Sequence, residues 1–108
     1  MNKRVYICAP MENALDISNA AKFAQYVIAC GAAPFAPHFY SMCADNGRVF
    51  PNKALAQMGK SFLWYCDEIW IFGARITRRM REEISFCKHL NIRTVSIPES
   101  KTVKILGG

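Results

Sequence analysis

The sequence predicts a single α/β domain built on a mainly parallel sheet of four to five strands. Three observations predict it. Four short apolar runs alternate with segments of helical period, in the order β-α-β-α-β-α-β. That alternation leads to a parallel sheet with helices on both faces. No repeat, low-complexity segment or linker interrupts the 108 residues, a length that suits one core. Hydrophobic residues make up 52% and charged residues 20%, the balance of a globular chain and not of a disordered one.

The first strand is "RVYICAP" (4–10), an apolar run closed by proline. "DISNAAKFAQYVIACG" (16–31) follows as a helix, with Ile17, Ala20, Ala21, Phe23, Ala24, Val27 and Ile28 at helical spacing. Asp16 is its expected N-cap and Gly31 its expected residue beyond the C-cap. "APFAPHFY" (33–40) reads as a second strand that Pro37 stops, and "SMCADNGRVFP" (41–51) as a loop with an Asn-Gly turn signal. "NKALAQMGKSFLWYC" (52–66) is a second helix, weakened by Gly59, and "DEIWIFG" (67–73) a third strand. "ITRRMREEISFCKHLN" (76–91) is a third helix with Met80, Ile84, Cys87 and Leu90 on its apolar stripe, and "IRTVSIP" (92–98) a fourth strand. The expected unit is one domain over 1–108, with the tail 99–108 mobile or adding a short strand. Its architecture is a Rossmann-like (flavodoxin-like) three-layer domain.

The net charge is +6, which permits an acidic partner without choosing one. Four of the seven arginines, Arg75, Arg78, Arg79 and Arg81, lie around the start of the third helix. A helix N-terminus is partially positive and prefers acidic side chains, so these cations are either ion-paired or grouped around an anion. Arg78–Glu82 and Arg79–Glu83 have i,i+4 spacing, and exposed pairs of that kind contribute about 0.3–0.5 kcal/mol each. The N-terminus is too short in apolar residues for a signal peptide, and no apolar run nears the length of a bilayer span. A cytoplasmic protein with no membrane partner is expected. Five cysteines without a CxxC spacing or a secretion signal read as small buried hydrophobes, with Cys43 the one candidate for reactivity.

In parallel sheets of this kind the ligand crevice lies beyond the carboxyl ends of the strands. That rule selects Ala9, Pro10, Met11 and Glu12, then Pro37 and His38, then Gly73 to Met80, then Pro98. The arginine-rich stretch therefore falls at the expected crevice. A helix N-terminus there offers free N–H groups to phosphate, Thr77 adds a hydroxyl or acts as cap, and arginine can hold phosphate bidentately. Glu83 lies near the apolar stripe of the third helix, where a carboxylate can be either a nucleophile or a surface partner of Arg79. Tyr6 on the first strand either reaches it or fills core. His38 has no second ligand at metal spacing, so no metal is expected. No GxGxxG follows the first strand and no GxxxxGKS/T occurs, and no helix-turn-helix pair is present, so sequence-specific nucleic-acid binding is not expected.

At these residues the chain resembles the nucleoside 2-deoxyribosyltransferase-like superfamily, most closely its small uncharacterised bacterial and phage domains. The likeness runs from about residue 4 to 98 and rests on "VYICAPM", "GAAPFAPHFY", "CDEIWIFG" and "ITRRMREEI". The resemblance implies a helix-borne glutamate that attacks the anomeric carbon and a strand-one tyrosine that orients it. Glu83 and Tyr6 fall on those positions. It also implies a loop of the form Ser-x-Gly-Met-x-x-Glu that holds a 5′-phosphate. Here Thr77 keeps the hydroxyl and Met80 and Glu83 match, while Arg79 stands where a glycine is usual and Arg81 where the hydrolases have a second one. After strand one Ala9-Pro10-Met11-Glu12 replaces a glycine-containing turn.

Two functions follow as expectations. One is N-glycosidic hydrolysis or deoxyribosyl transfer on a deoxynucleoside or its 5′-monophosphate. Glu83 and Tyr6 are the catalytic pair, and Ala9, Pro10, Met11, His38, Gly73, Thr77, Arg79 and Met80 line the ligand. The other is a non-catalytic binder that sequesters a nucleotide-derived ligand. The resemblance further implies a homodimer or higher homo-oligomer.

Overall fold

The computed structural model describes residues 2–42, 44–45, 48–49 and 52–106. Strand β1 (Arg4–Cys8) leads into helix α1 (Ala14–Ala29), strand β2 (Ala33–Phe35) and a 3-10 segment (Pro37–Met42). Two-residue strands β3 (Ala44–Asp45) and β4 (Arg48–Val49) pair antiparallel. Helix α2 (Asn52–Leu63), strand β5 (Glu68–Ile71), helix α3 (Arg78–His89), strand β6 (Arg93–Ser96) and helix α4 (Glu99–Leu106) complete the chain. The main sheet has the order β2-β1-β5-β6 and every pair in it is parallel. This is the expected α/β, Rossmann-like and flavodoxin-like arrangement, with four strands.

The central strand shows why both faces need helices. Val5 and Ile7 join one core with Ala24, Val27, Phe72 and Ile97, on the side of α1. Tyr6 and Cys8 join the other with Leu63, Ile69, Met80 and Cys87, on the side of α2 and α3. Alternate side chains of a strand point to opposite faces, so a run apolar at every position is buried twice. In register, Tyr6 stands beside Ile69 of β5.

Several boundaries differ from expectation. The N-cap of α1 is Asn13, whose Oδ1 accepts from the Asp16 N–H at 2.9 Å, so Asp16 sits inside the first turn. Pro37 ends β2 early because proline has no N–H for a ladder and suits a helical start, and the segment it opens is 3-10. The tail does not add a strand over 99–106: it forms α4. Pro98 closes β6 and restarts the chain as a helix, with Glu99 in its favourable first turn. Gly31 follows the end of α1 with φ 82°, the left-handed geometry expected there. Thr77 is the N-cap of α3 as expected, and its hydroxyl accepts from Met80 N–H at 3.3 Å. Cys8, Cys66 and Cys87 are buried, but Cys30 is exposed at the end of α1. Cys43 and the Asn46-Gly47 turn lie outside the described residues.

Candidate functional site

Glu83 occupies a position that the helical period marks as apolar. Met80, Glu83 and Cys87 are spaced by three and four residues and form the buried stripe of α3. The Glu83 side chain is 2% exposed. A buried carboxylate requires donors, and three supply them. The Tyr6 hydroxyl donates to Oε2. Arg79 Nη1 donates to Oε1 at 2.7 Å, and the Cys8 thiol lies 3.6 Å from the same oxygen. Burial pushes the Glu83 carboxyl above its ordinary range, against the charge of Arg79 and the three donors. Burial and the neighbouring carboxylate likewise push the Tyr6 hydroxyl and the Cys8 thiol well up, so both keep their protons.

Arg79 spans the site. Its second amino group donates to the carbonyl of Ala9, just beyond the end of β1. That carbonyl and the next, on Pro10, each lie 3.1 Å from His38 Nε2. Both partners are acceptors, so Nε2 carries the proton. Burial, then the charge of Arg79, lowers His38 from 6.5 to about 4. His38 is thus a neutral ring that holds the turn after β1. Gly73, with φ 97°, packs against the same turn, and a Cβ on it would stand 2.9 Å from the Pro10 ring. Met11 is buried at the end of this turn.

The structure therefore brings Tyr6, Ala9, Pro10, His38, Gly73, Arg79, Met80 and Glu83 into one contiguous cluster, with Thr77 capping the helix that carries three of them. Tyr6 lies within β1, while the outer members of the cluster, Ala9, Pro10 and Gly73, lie beyond β1 and β5, at the point where the strand order reverses. The arginines around it do not act as a group. Arg75 pairs with Asp16 at 2.7 Å and Glu12 at 3.1 Å. Burial favours protonated Asp16, but the Glu12 backbone N–H and Arg75 outweigh it and hold the carboxyl below its usual range. Arg78 pairs with Glu82 at 3.5 Å, exposed, and Arg81 is exposed. Three of the four cations at the unfavourable helix end are thus balanced by carboxylates.

A crevice of about 480 Å³ opens on the other face, between α1, the segment after β5 and the start of α4. Pro10, Phe23, Phe72, Arg75 and Ile97 are among its walls, and Tyr6 and Glu83 are not. Pro10 and Gly73 are common to the crevice and to the cluster. The volume lies on one side of the turn after β1 and the buried carboxylate on the other.

Two members of the cluster escape a reading of the sequence. Gly59 of α2 faces the Tyr6–Glu83 pair so closely that a Cβ there would overlap the Tyr6 hydroxyl and stand 2.9 Å from Glu83 Oε2. An isolated glycine inside a helical pattern was the available signal. Cys8 looks like core, and only the fold shows its thiol against the carboxylate.

Among the described residues no three of His, Cys, Asp and Glu gather as a metal site, and no helix is long and apolar enough to cross a membrane. No curated protein matches the sequence. Solved structures do match in fold. A conserved protein from Enterococcus faecalis V583 superposes with a TM-score of 0.69 at 17% identity, covering 89% of this chain. This chain spans 63% of that protein's length. A 2-deoxyribosyltransferase from Bacillus psychrosaccharolyticus superposes with a TM-score of 0.67 at 14% identity, covering 86% of this chain and 70% of its own. Identities this low establish a shared fold. Residues 3–97 match a family throughout, and the chain belongs to that family, the Domain of unknown function (DUF7768).

Proposed function

We propose that the protein acts on the N-glycosidic bond of a deoxynucleoside or deoxynucleoside 5′-monophosphate, by hydrolysis or by transfer of the deoxyribosyl group. The observation that carries the reading is the buried Glu83 carboxylate with the Tyr6 hydroxyl on one oxygen and Arg79 on the other. The shared fold with a 2-deoxyribosyltransferase is consistent with it. In this reading Glu83 is the nucleophile. It forms an ester bond to the anomeric carbon as the bond to the base breaks, and the base leaves with the bonding pair. Water or a second base then takes the sugar and restores the carboxylate. Tyr6 fixes which lone pairs of Glu83 face the sugar. Thr77 and Arg79 hold the phosphate, and Met80 shapes the loop that carries them. Ala9, Pro10, Met11, His38 and Gly73 form the sugar and base side of the site, His38 through the turn it holds. No metal or cofactor takes part, and a homodimer or larger assembly, measured by sedimentation equilibrium, belongs to the same reading.

The test is incubation with a panel of deoxynucleosides and their 5′-monophosphates, with chromatography for free base. Wild type should release base and Glu83→Ala should not. Release from no member of the panel, or equal release by both proteins, defeats the reading.

The closure of the site favours a second reading, a non-catalytic binder of a nucleotide-derived ligand. Arg79 already occupies Glu83, and Gly59 leaves no space on the α2 side. A ligand that binds only the folded chain raises its melting temperature. Thermal shift with the same panel, retained in Glu83→Gln without turnover by wild type, would establish this second reading in place of the first.

A further inference from the structure

Arg79 controls both the charge balance of Glu83 and the approach to it. Tyr6 and Cys8 cover the carboxylate from β1, and α2 covers it at Gly59. Arg79 covers what remains, tied to Glu83 and to the Ala9 carbonyl. Its side chain is 14% exposed against 2% for Glu83. Solvent therefore meets the guanidinium before the carboxylate.

Ligands can displace this contact only under a condition. A neutral ligand that pushed Arg79 aside would part the two charges and leave the guanidinium without an anion, an unfavourable way to break such a pair, while Glu83 kept only Tyr6 and Cys8. A ligand with two acceptor oxygens on one anionic centre replaces what Arg79 loses, because the planar guanidinium fork matches that geometry. Thr77 and the N-terminal N–H groups of α3 lie one turn away at the same end of the helix. Resting on the nucleotide reading above, we propose that Arg79 is a lid that makes the site selective for ligands carrying a phosphate monoester. The phosphate takes the guanidinium, and only then does Glu83 face the sugar.

The lid and the ligand class are tested separately. Calorimetric titration of wild type should show deoxyadenosine 5′-monophosphate binding at least about tenfold tighter than deoxyadenosine, the effect of one charge-assisted contact. Arg79→Met should lose that preference, and Arg78→Met, on the same turn but exposed, should keep it. Carbodiimide labelling of Glu83, read by peptide mass spectrometry without ligand, should be slow in wild type and at least about tenfold faster in Arg79→Met. Arg79→Lys, which keeps the charge and loses the fork, should lie between them and serves if Arg79→Met fails to fold. Equal affinity for the two compounds in wild type overturns the proposal. So does a preference retained by Arg79→Met, a loss as large in Arg78→Met, or equal labelling of Glu83 in wild type and the Arg79 variants. If wild type binds neither compound and releases no base, the nucleotide reading falls. The lid is then judged by the labelling and by titration with inorganic phosphate, whose binding must depend on Arg79.

Discussion

The Arg79–Glu83 pair has the same i,i+4 spacing as Arg78–Glu82, and the structure contains both. Burial separates them: one pair is exposed, while the other is tied to Tyr6 and Ala9. Removing a partner from the buried carboxylate should therefore matter. Tyr6→Phe is expected to lower unfolding stability by about 1–3 kcal/mol in urea titrations. His38 and Glu83, both buried, have opposite pH signatures. His38 falls to about 4 in the folded chain against an ordinary 6.5. Between those values the unfolded chain binds a proton that the folded chain does not. The stability from neutral His38 is complete above pH 6.5, is lost as pH falls toward 4, and is on the order of 3 kcal/mol. His38→Gln keeps a side-chain N–H donor without a titrating ring and should flatten that slope. Glu83 is raised, so the folded chain keeps a proton that the unfolded chain releases above about 4.5. Its contribution is therefore largest at low pH and declines as pH rises through the folded value. Glu83→Gln should remove this opposite slope, and a pH profile of stability identical to wild type in either variant would contradict the assignment.

At the scale of elements, local rules and tertiary contacts compete most clearly in α2. Alanine is better than glycine in a helix interior by about 1 kcal/mol, so the sequence alone predicts that Gly59→Ala stabilises. The structure predicts the reverse. The added Cβ meets the bonded Tyr6–Glu83 pair, and overpacking a closed site costs about 1–3 kcal/mol. Chemical denaturation should show a net loss; a gain would mean that α2 lies farther from the pair. In α3 the local rule stands: Thr77→Ala should cost about 0.5–2 kcal/mol through loss of the cap. The alternation of strands and helices was legible because every main strand is short and followed by turn residues, and β1 is apolar along most of its length. The errors came at ends. Asn13 and Asp16 are both good caps, and only the backbone path chooses between them. The tail offers only eight helical residues, too short a stretch to separate a helix from a strand by period, and its helix lies against α1.

For the whole molecule, β1 links two cores that carry different duties. Ile7 serves the core of α1 and stands on the face opposite Glu83. Ile7→Ala should cost about 2–5 kcal/mol in unfolding free energy, yet leave the slow carbodiimide labelling of Glu83 unchanged under native conditions. Faster labelling would mean that the two faces are not independent. The sequence by itself determined the fold class, the order of the four main strands and the three helices between them, the Thr77 cap and the stretch at the carboxyl ends of the strands. These follow from periodicity and turn chemistry, which are local and written into neighbouring residues. The tertiary structure alone decided that Glu83 is buried, that the Cys8 thiol and Gly59 surround it and that Arg79 covers it. Tyr6 and Glu83 are 77 residues apart in sequence, and no local pattern records such a contact. What decides it is the register of a parallel sheet and the rotation of two helices on its face. The same packing sets the environment of the carboxylate, and with it whether an arginine beside it is a surface partner or a lid.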